Sequence, residues 1–239
     1  MNFKNKVCIV TGAASGIGRA TAEILAKCGA KLSLMDINRE KISEFTEELR
    51  KNGTDVIDFC FDISNVEEIK NMVSVTLERY GKIDVLINNA GIYKGEPDFE
   101  NQDIADWKKL IDINVIGTMA MSQAVLPTMK KQHSGRIVNL GSVAATYGIS
   151  YMITYSTTKG AIHSFTKALS KQVAEYGINV NTVAPGNIRE DLTVGADMSL
   201  MGRAGSYDEC ANVICFLASD AASYVTGQCY TVDGGRKMM

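Results

Sequence analysis

The segment Val7-Cys-Ile-Val10 runs directly into Thr11-Gly-Ala-Ala-Ser-Gly-Ile-Gly18, and this junction decides the fold. The four apolar residues read as a buried strand, and the glycine-rich octet reads as a tight turn that opens a helix. Gly12, Gly16 and Gly18 leave no Cβ between the turn and a ligand, while a helix N-terminus offers unpaired N–H groups to anionic oxygens. A glycine pattern alone is weak evidence. Its place between a strand and a helix is what a pyrophosphate site requires.

Outward from that junction, short β-rich runs recur at Lys31 to Met35, Val56 to Cys60, Val85 to Ile87, Arg136 to Leu140, Ile178 to Val183 and Cys229 to Val232. Between them lie segments with helical periodicity, such as Arg39 to Lys51, Val66 to Tyr80 and the apolar series Ala161, Ile162, Phe165, Leu169 and Val173. This alternation predicts an α/β fold: a Rossmann-type doubly wound parallel sheet of about seven strands with helices on both faces. Ligands in such folds bind beyond the carboxyl ends of the strands. The chain has 239 residues, 46% of them apolar, and only three prolines, with no linker or repeat, so residues 1–239 are expected to form one domain. The least patterned stretch, 187–206, reads as a short mobile loop near the site.

A net charge of −2 leaves no basic excess for nucleic acid or an anionic membrane, and points to a small-molecule partner. No leader and no run long enough to span a bilayer is read, so a cytoplasmic protein is expected. The six cysteines are scattered without a Cys-x-x-Cys pair and are expected to be reduced core residues; no metal site is expected. His133 and His163 stand alone and are read as solvated surface or helix positions.

Asp36 closes the second strand, where a carboxylate accepts hydrogen bonds from adenosine ribose hydroxyls. A 2′-phosphate there meets like-charge repulsion, and no Arg or Lys lies between Gly12 and Gly18 to offset it. NAD(H) is therefore expected over NADP(H), with Arg39 facing water at a helix start. A second constellation, Tyr155-Ser-Thr-Thr-Lys159, sets a phenol and an ammonium on one face if the stretch is helical. A phenol with a pKa near 10 is a poor acid–base catalyst at neutral pH, and a fixed cation beside it is expected to lower that value.

Together these residues resemble the short-chain dehydrogenase/reductase family over nearly the whole chain. Its markers stand as Thr11 to Gly18, Asp62, Asn88-Asn-Ala-Gly91, Asn114, Ser142, Tyr155 to Lys159, Pro185-Gly186, and Thr226-Gly-Gln228 to Asp233-Gly-Gly235. The resemblance implies an oxidoreductase that moves a hydride between NAD(H) and a secondary alcohol/ketone pair. Tyr155 is then the general acid or base, Ser142 holds the substrate oxygen, and Lys159 binds the nicotinamide ribose and lowers the Tyr155 pKa. Asn114 positions a water that links Lys159 to solvent. Cofactor contacts are implied for Gly12, Ser15, Gly16, Ile17, Gly18, Asp36, Asp62, Ile63, Asn88, Ala90, Gly91, Tyr155, Lys159, Pro185, Gly186 and Ile188. Taken alone, Asp62 is an ordinary cap, and the Asn88 amide can stitch adjacent strands. A homo-oligomer, tetramer or dimer, is implied as well, built from the helices bearing Asn114 and Tyr155 plus the C-terminal segment.

The chain departs from the pattern after Pro185. Many relatives place a threonine on the cofactor where Glu190 stands, the loop is shorter than in many relatives, and Met201-Gly-Arg203 lacks a usual proline. Tyr147, Ile149, Tyr151 and Met152, with Asn187 and residues 192–198, suggest an apolar, partly aromatic pocket suited to a neutral, acyl or polycyclic ketone or alcohol. The 3-oxoacyl-carrier-protein reductase, hydroxysteroid and polyol or sugar dehydrogenase branches all remain open. A non-catalytic nucleotide sensor on the same fold predicts damage to Asn114, Ser142, Tyr155 or Lys159, and all four are intact.

Overall fold

Strand and helix alternate along the computed structural model, which describes residues 1–236. The first half runs β1 (Val7–Thr11), α1 (Gly16–Lys27), β2 (Lys31–Asp36), α2 (Arg39–Lys51), β3 (Val56–Cys60), α3 (Val66–Tyr80) and β4 (Val85–Asn88). The second runs α4 (Ile104–Ile111), α5 (Thr118–Gln132), β5 (Gly135–Leu140), α6 (Ala144–Tyr147), α7 (Ile153–Val173), β6 (Ile178–Pro185), α8 (Tyr207–Ala218) and β7 (Cys229–Val232). The seven strands pair in parallel in the order β3-β2-β1-β4-β5-β6-β7. The order reverses between β1 and β4, the place where doubly wound sheets open a crevice.

Period-two alternation sends neighbouring residues of one strand to opposite cores. Cys8 and Val10 join Leu25, Phe45 and Ile214 on one face, while Ile9 joins Ile69, Met72 and Val125 on the other. Each fully buried Leu, Ile or Phe contributes about 1.5–3 kcal/mol, so both faces must be covered by helices for the sheet to persist. Local chemistry sets the helix starts: the Asn38 side chain accepts from the Lys41 amide, and Asn65 accepts from Glu67 and Glu68. Helix α3 stops at Gly81, which takes the left-handed conformation at φ 76°.

Three expectations change here. A run of membrane-spanning length does exist: α4, a π-helical turn (Asp112–Gly117) and α5 form one apolar helix, Ile104–Gln132. Its Met121, Val125 and Met129 are fully buried against the sheet, so part of its apolar character serves core packing. His163 is on a helix and half-buried rather than fully solvated; its Nε2 lies 3.6 Å from Cys229 Sγ, and burial followed by Lys159 and Lys167 lowers its pKa. His133 is exposed at the end of α5. The 187–206 loop is tied down rather than open: Ala204 donates to the Leu192 carbonyl, Gly205 to Asn187, and the Asn187 amide to the carbonyls of Val194 and Gly195. All six cysteines are free thiols, and burial pushes Cys210 and Cys215 up to about 12.

Candidate active site

A cavity of 390 Å³ opens where β1 and β4 part, lined by the glycine turn on one side and residues 89–92 on the other. The turn fits closely. A Cβ on Gly18 would clash with the Gly12 carbonyl oxygen and with Asn89 Nδ2, and one on Gly12, at φ +65°, would meet Ala90 Cα at 2.9 Å. Thr11 Oγ1 accepts from the amides of Asn89 and Ala90, and Asn89 Nδ2 donates to the carbonyls of Thr11 and Gly12. These bonds lash the two chain segments together at the switch point. The Ser15 side chain makes no cap bond at the start of α1, which leaves the amides of the first turn open to an anion.

Asp36 reaches the cavity from the end of β2, beside Ile37, Phe61, Asp62 and Ile63. Its two oxygens accept from the Ala14 and Asn38 amides at 3.0 and 2.9 Å, which fixes the carboxylate at the mouth. Arg19, the first guanidinium after the turn, is committed to Glu23, Glu48 and the face of Phe45. Arg39 is exposed at the start of α2. Asp62 holds its own turn through Ser64, at 2.9 Å to the amide and 2.8 Å to the hydroxyl.

The second group gathers at Gly91. A methyl placed there would lie 3.1 Å from Asn114 Oδ1 and 3.5 Å from Lys159 Nζ. Asn114 sits in the π-helical turn, an element that widens a helix and often marks a functional position. Its amide accepts from the Ile92 N–H at 2.8 Å and donates to the Ile92 carbonyl and to Thr158. Lys159 Nζ donates to the Leu140 carbonyl at 2.8 Å and lies 5.7 Å from the centre of the Tyr155 ring. Helix α7 thus carries Tyr155 and Lys159 on one face, with Ser142 at the end of β5 beside the phenol.

The electrostatics correct the expected tuning. Burial raises the Tyr155 phenol, the Ser142 hydroxyl works in the opposite direction, and Tyr93 adds a further rise. Burial also pulls Lys159 down to about 8. Both groups are pushed toward neutrality because the pocket is dry, and the ammonium is engaged by a carbonyl rather than by the phenol.

Not every expected contact residue faces the cavity. The Asn88 side chain stitches strands as its amide suggests, donating to Asn139 Oδ1 at 2.8 Å and Ser122 Oγ at 3.0 Å and so tying β4 to β5 and α5, while the contact implied for Asn88 is through its backbone. Its neighbour Asn89, just past the end of β4, lines the cavity. Pro185, Gly186 and Ile188 do not line it either: Gly186 packs on Asp233, and Ile188 lines a separate 110 Å³ pocket with Met201 and Arg203. The Ile188 to Gly205 bridge engages the flanking Arg189 amide and Asn187 carbonyl, and no hydrogen bond uses the Ile188 amide among the described residues. Glu190 lies with Arg189 in an outer groove beside Ala14, Ser15 and Gly16. Tyr147 and Tyr151 are exposed at 40% and 49%, a rim rather than a closed pocket. Ile37, Phe61, Ile92 and Tyr207 line this cavity and were not anticipated, since none belongs to a sequence motif. No group of three His, Cys, Asp or Glu side chains among the described residues is placed to hold a metal.

A family model described as short chain dehydrogenase matches residues 6–198. The chain belongs to that family. It is 37% identical over 244 residues to a 3-oxoacyl-[acyl-carrier-protein] reductase of Thermotoga maritima, covering 98% of this chain and 99% of that protein. The corresponding Escherichia coli reductase is 36% identical over 248 residues, with both chains covered completely. Among solved structures, an NAD+-bound xylitol dehydrogenase superposes with a TM-score of 0.93 at 32% identity, covering 98% of this chain and 100% of that one. The fold, the glycine turn and the intact tetrad therefore sit in a family of oxidoreductases.

Proposed function

We propose that this short-chain dehydrogenase transfers a hydride between NAD(H) and a secondary alcohol/ketone pair, and that its substrate is a 3-oxoacyl thioester. The observation that carries the reading is the convergence of Asn114 and Lys159 on Gly91, with Tyr155 beside Lys159, one step along the crevice from the glycine turn and Asp36. The crevice fits a dinucleotide, because its cradle has no room for a Cβ at Gly12 or Gly18 and its open amides suit a pyrophosphate. Bound there, a nicotinamide supplies or accepts the hydride. The chain's own residues do the rest. Ser142 and Tyr155 donate to the carbonyl oxygen as it gains negative charge, Tyr155 delivers the proton, and Lys159 holds positive charge beside the reacting centre. The full-length likeness to 3-oxoacyl-[acyl-carrier-protein] reductases supports the acyl thioester. The likeness to a xylitol dehydrogenase supports a polyol as the second reading. A panel of 3-oxoacyl thioesters, cyclic ketones and polyols, followed by NADH absorbance, separates the two; turnover confined to polyols would remove the first.

Preference for NAD(H) rests on the fixed Asp36 carboxylate and on the committed Arg19. Fluorescence titration is expected to give tighter binding of NADH than NADPH. Asp36→Asn keeps one acceptor and removes the charge, so it is expected to shift the ratio toward NADPH by about 10- to 100-fold, the effect of 1.4–3 kcal/mol of relieved repulsion. A parent protein that favours NADPH would refute the role of Asp36. We also infer a cytoplasmic homotetramer. Ile104, Ile111, Ile116 and Met119 are exposed along the helix bearing Asn114, an apolar surface suited to a second copy. Lys237 to Met239 of the expected C-terminal contact lie outside the described residues. A monomer by light scattering would remove this inference.

A further inference from the structure

Helix α7 carries the two residues central to the chemistry, yet its start has no local cap. Met152 occupies the N-cap position, makes no side-chain bond to the helix, and no acidic residue follows in the first turn. The amides of the first turn of any helix lack intrahelical partners, and leaving them unpaired beside a dry pocket is costly. Two of them are satisfied from a distant segment. Glu96 Oε2 accepts from the Thr154 amide and Glu96 Oε1 from the Tyr155 amide, each at 2.9 Å. Glu96 lies in the loop after β4, and its neighbours from Tyr93 to Glu100 are all exposed while its own side chain is half-buried. The pairing is further braced by Gln102, whose Nε2 donates to Glu96 Oε2 at 3.2 Å and whose Oε1 accepts from Thr154 Oγ1 at 2.8 Å and from Trp107 Nε1 at 2.8 Å. From the same loop, Tyr93 meets the Tyr155 ring edge-on, with centroids 5.4 Å apart.

A carboxylate also suits the positive end of the helix dipole, so Glu96 satisfies both the hydrogen-bonding and the charge demand of this terminus. Its bond to the main chain of Tyr155 itself is the distinctive point. The cap does not merely close the helix; it fixes the Cα from which the phenol is projected, and Tyr93 supports the ring from the side. We propose that Glu96 is the positioning residue for Tyr155, coupling the loop after β4 to the placement of the phenol. This rests on the assignment of Tyr155 as the acid–base group. Glu96 touches no reacting atom and acts only through Tyr155.

The test compares the parent with Glu96→Ala and Glu96→Gln in two ways. Hydrogen exchange by mass spectrometry, on the protein without cofactor, reads the amides of Thr154 and Tyr155. They are expected to exchange roughly tenfold faster or more in Glu96→Ala. Steady-state turnover then reads the consequence: kcat is expected to fall about 10- to 100-fold in Glu96→Ala, the scale on which small misplacements act. The Kd for NADH is expected to stay within roughly twofold, since the cap lies apart from the glycine turn. Glu96→Gln is expected to recover part of kcat, because its single carbonyl oxygen can accept from one of the two amides. A kcat within twofold of the parent in Glu96→Ala, or an equal loss of kcat and cofactor affinity, would overturn the proposal. If the parent itself turns over no ketone, the functional reading fails separately, and unchanged exchange at Thr154 and Tyr155 would still overturn the role given to Glu96.

Discussion

Lys159→Met is expected to stop turnover and, at neutral pH, to leave the cofactor-free protein at least as stable as the parent. Lys159 is fully enclosed, and burial lowers its pKa from 10.5 to about 8. Holding the ammonium charged at pH 7 in the folded state therefore costs about 3 kcal/mol relative to the unfolded chain. Methionine occupies a similar volume without that cost, while the Leu140 carbonyl loses its donor, an offset of about 1–3 kcal/mol. The sign of the pH dependence follows from the direction of the shift. Between about pH 8 and 10.5 the unfolded chain binds more protons than the folded one, so the parent gains stability as pH rises through that window. The variant lacks this gain. Its Tm relative to the parent is expected to be highest near pH 7 and to fall as pH rises from about 8 toward 10. A Tm difference independent of pH would show that Lys159 is not a buried, strained cation.

Tyr155→Phe is expected to lower kcat by about 10³-fold, within the range that a positioned acid or base contributes. The substitution removes one oxygen from a ring whose packing against Tyr93 is kept, so neither Tm nor the Kd for NADH is expected to change appreciably. Steady-state rates with a 3-oxoacyl thioester, alongside NADH fluorescence titration, check both parts. Equal kcat values in parent and variant would remove Tyr155 from the chemistry.

Much of this was legible in the chain because the signals are local. Alternation of β-rich and helical runs marks all seven strands, and helical periodicity places α2 and α3 to the residue. The glycines need only their immediate neighbours to be understood, and Asp36 only its place at a strand end. The features that escaped sequence reading depend on segments far apart in the chain. Glu96 caps a helix that begins 57 residues later, and the local trace of this is negative: an apolar Met152 where a capping side chain is expected. Lys159 is bound by a main-chain carbonyl, which no side-chain pattern reveals. Asn88 ends β4 and turns into the core, while Asn89 just beyond it reaches the glycine turn, a difference that two adjacent asparagines do not show in sequence. The 187–206 loop carries little periodicity, yet main-chain bonds and the Asn187 side-chain amide pin it.

The central claim is hydride transfer at Tyr155. It is tested most directly by following NADH deuterated at the transferring C4 position with a 3-oxoacyl thioester, analysing the product by mass spectrometry. Deuterium is expected on the carbinol carbon of the product with the parent protein, and almost none with Tyr155→Phe over the same time. NADH consumed without deuterium reaching that carbon, or equal labelling by the two proteins, would contradict it.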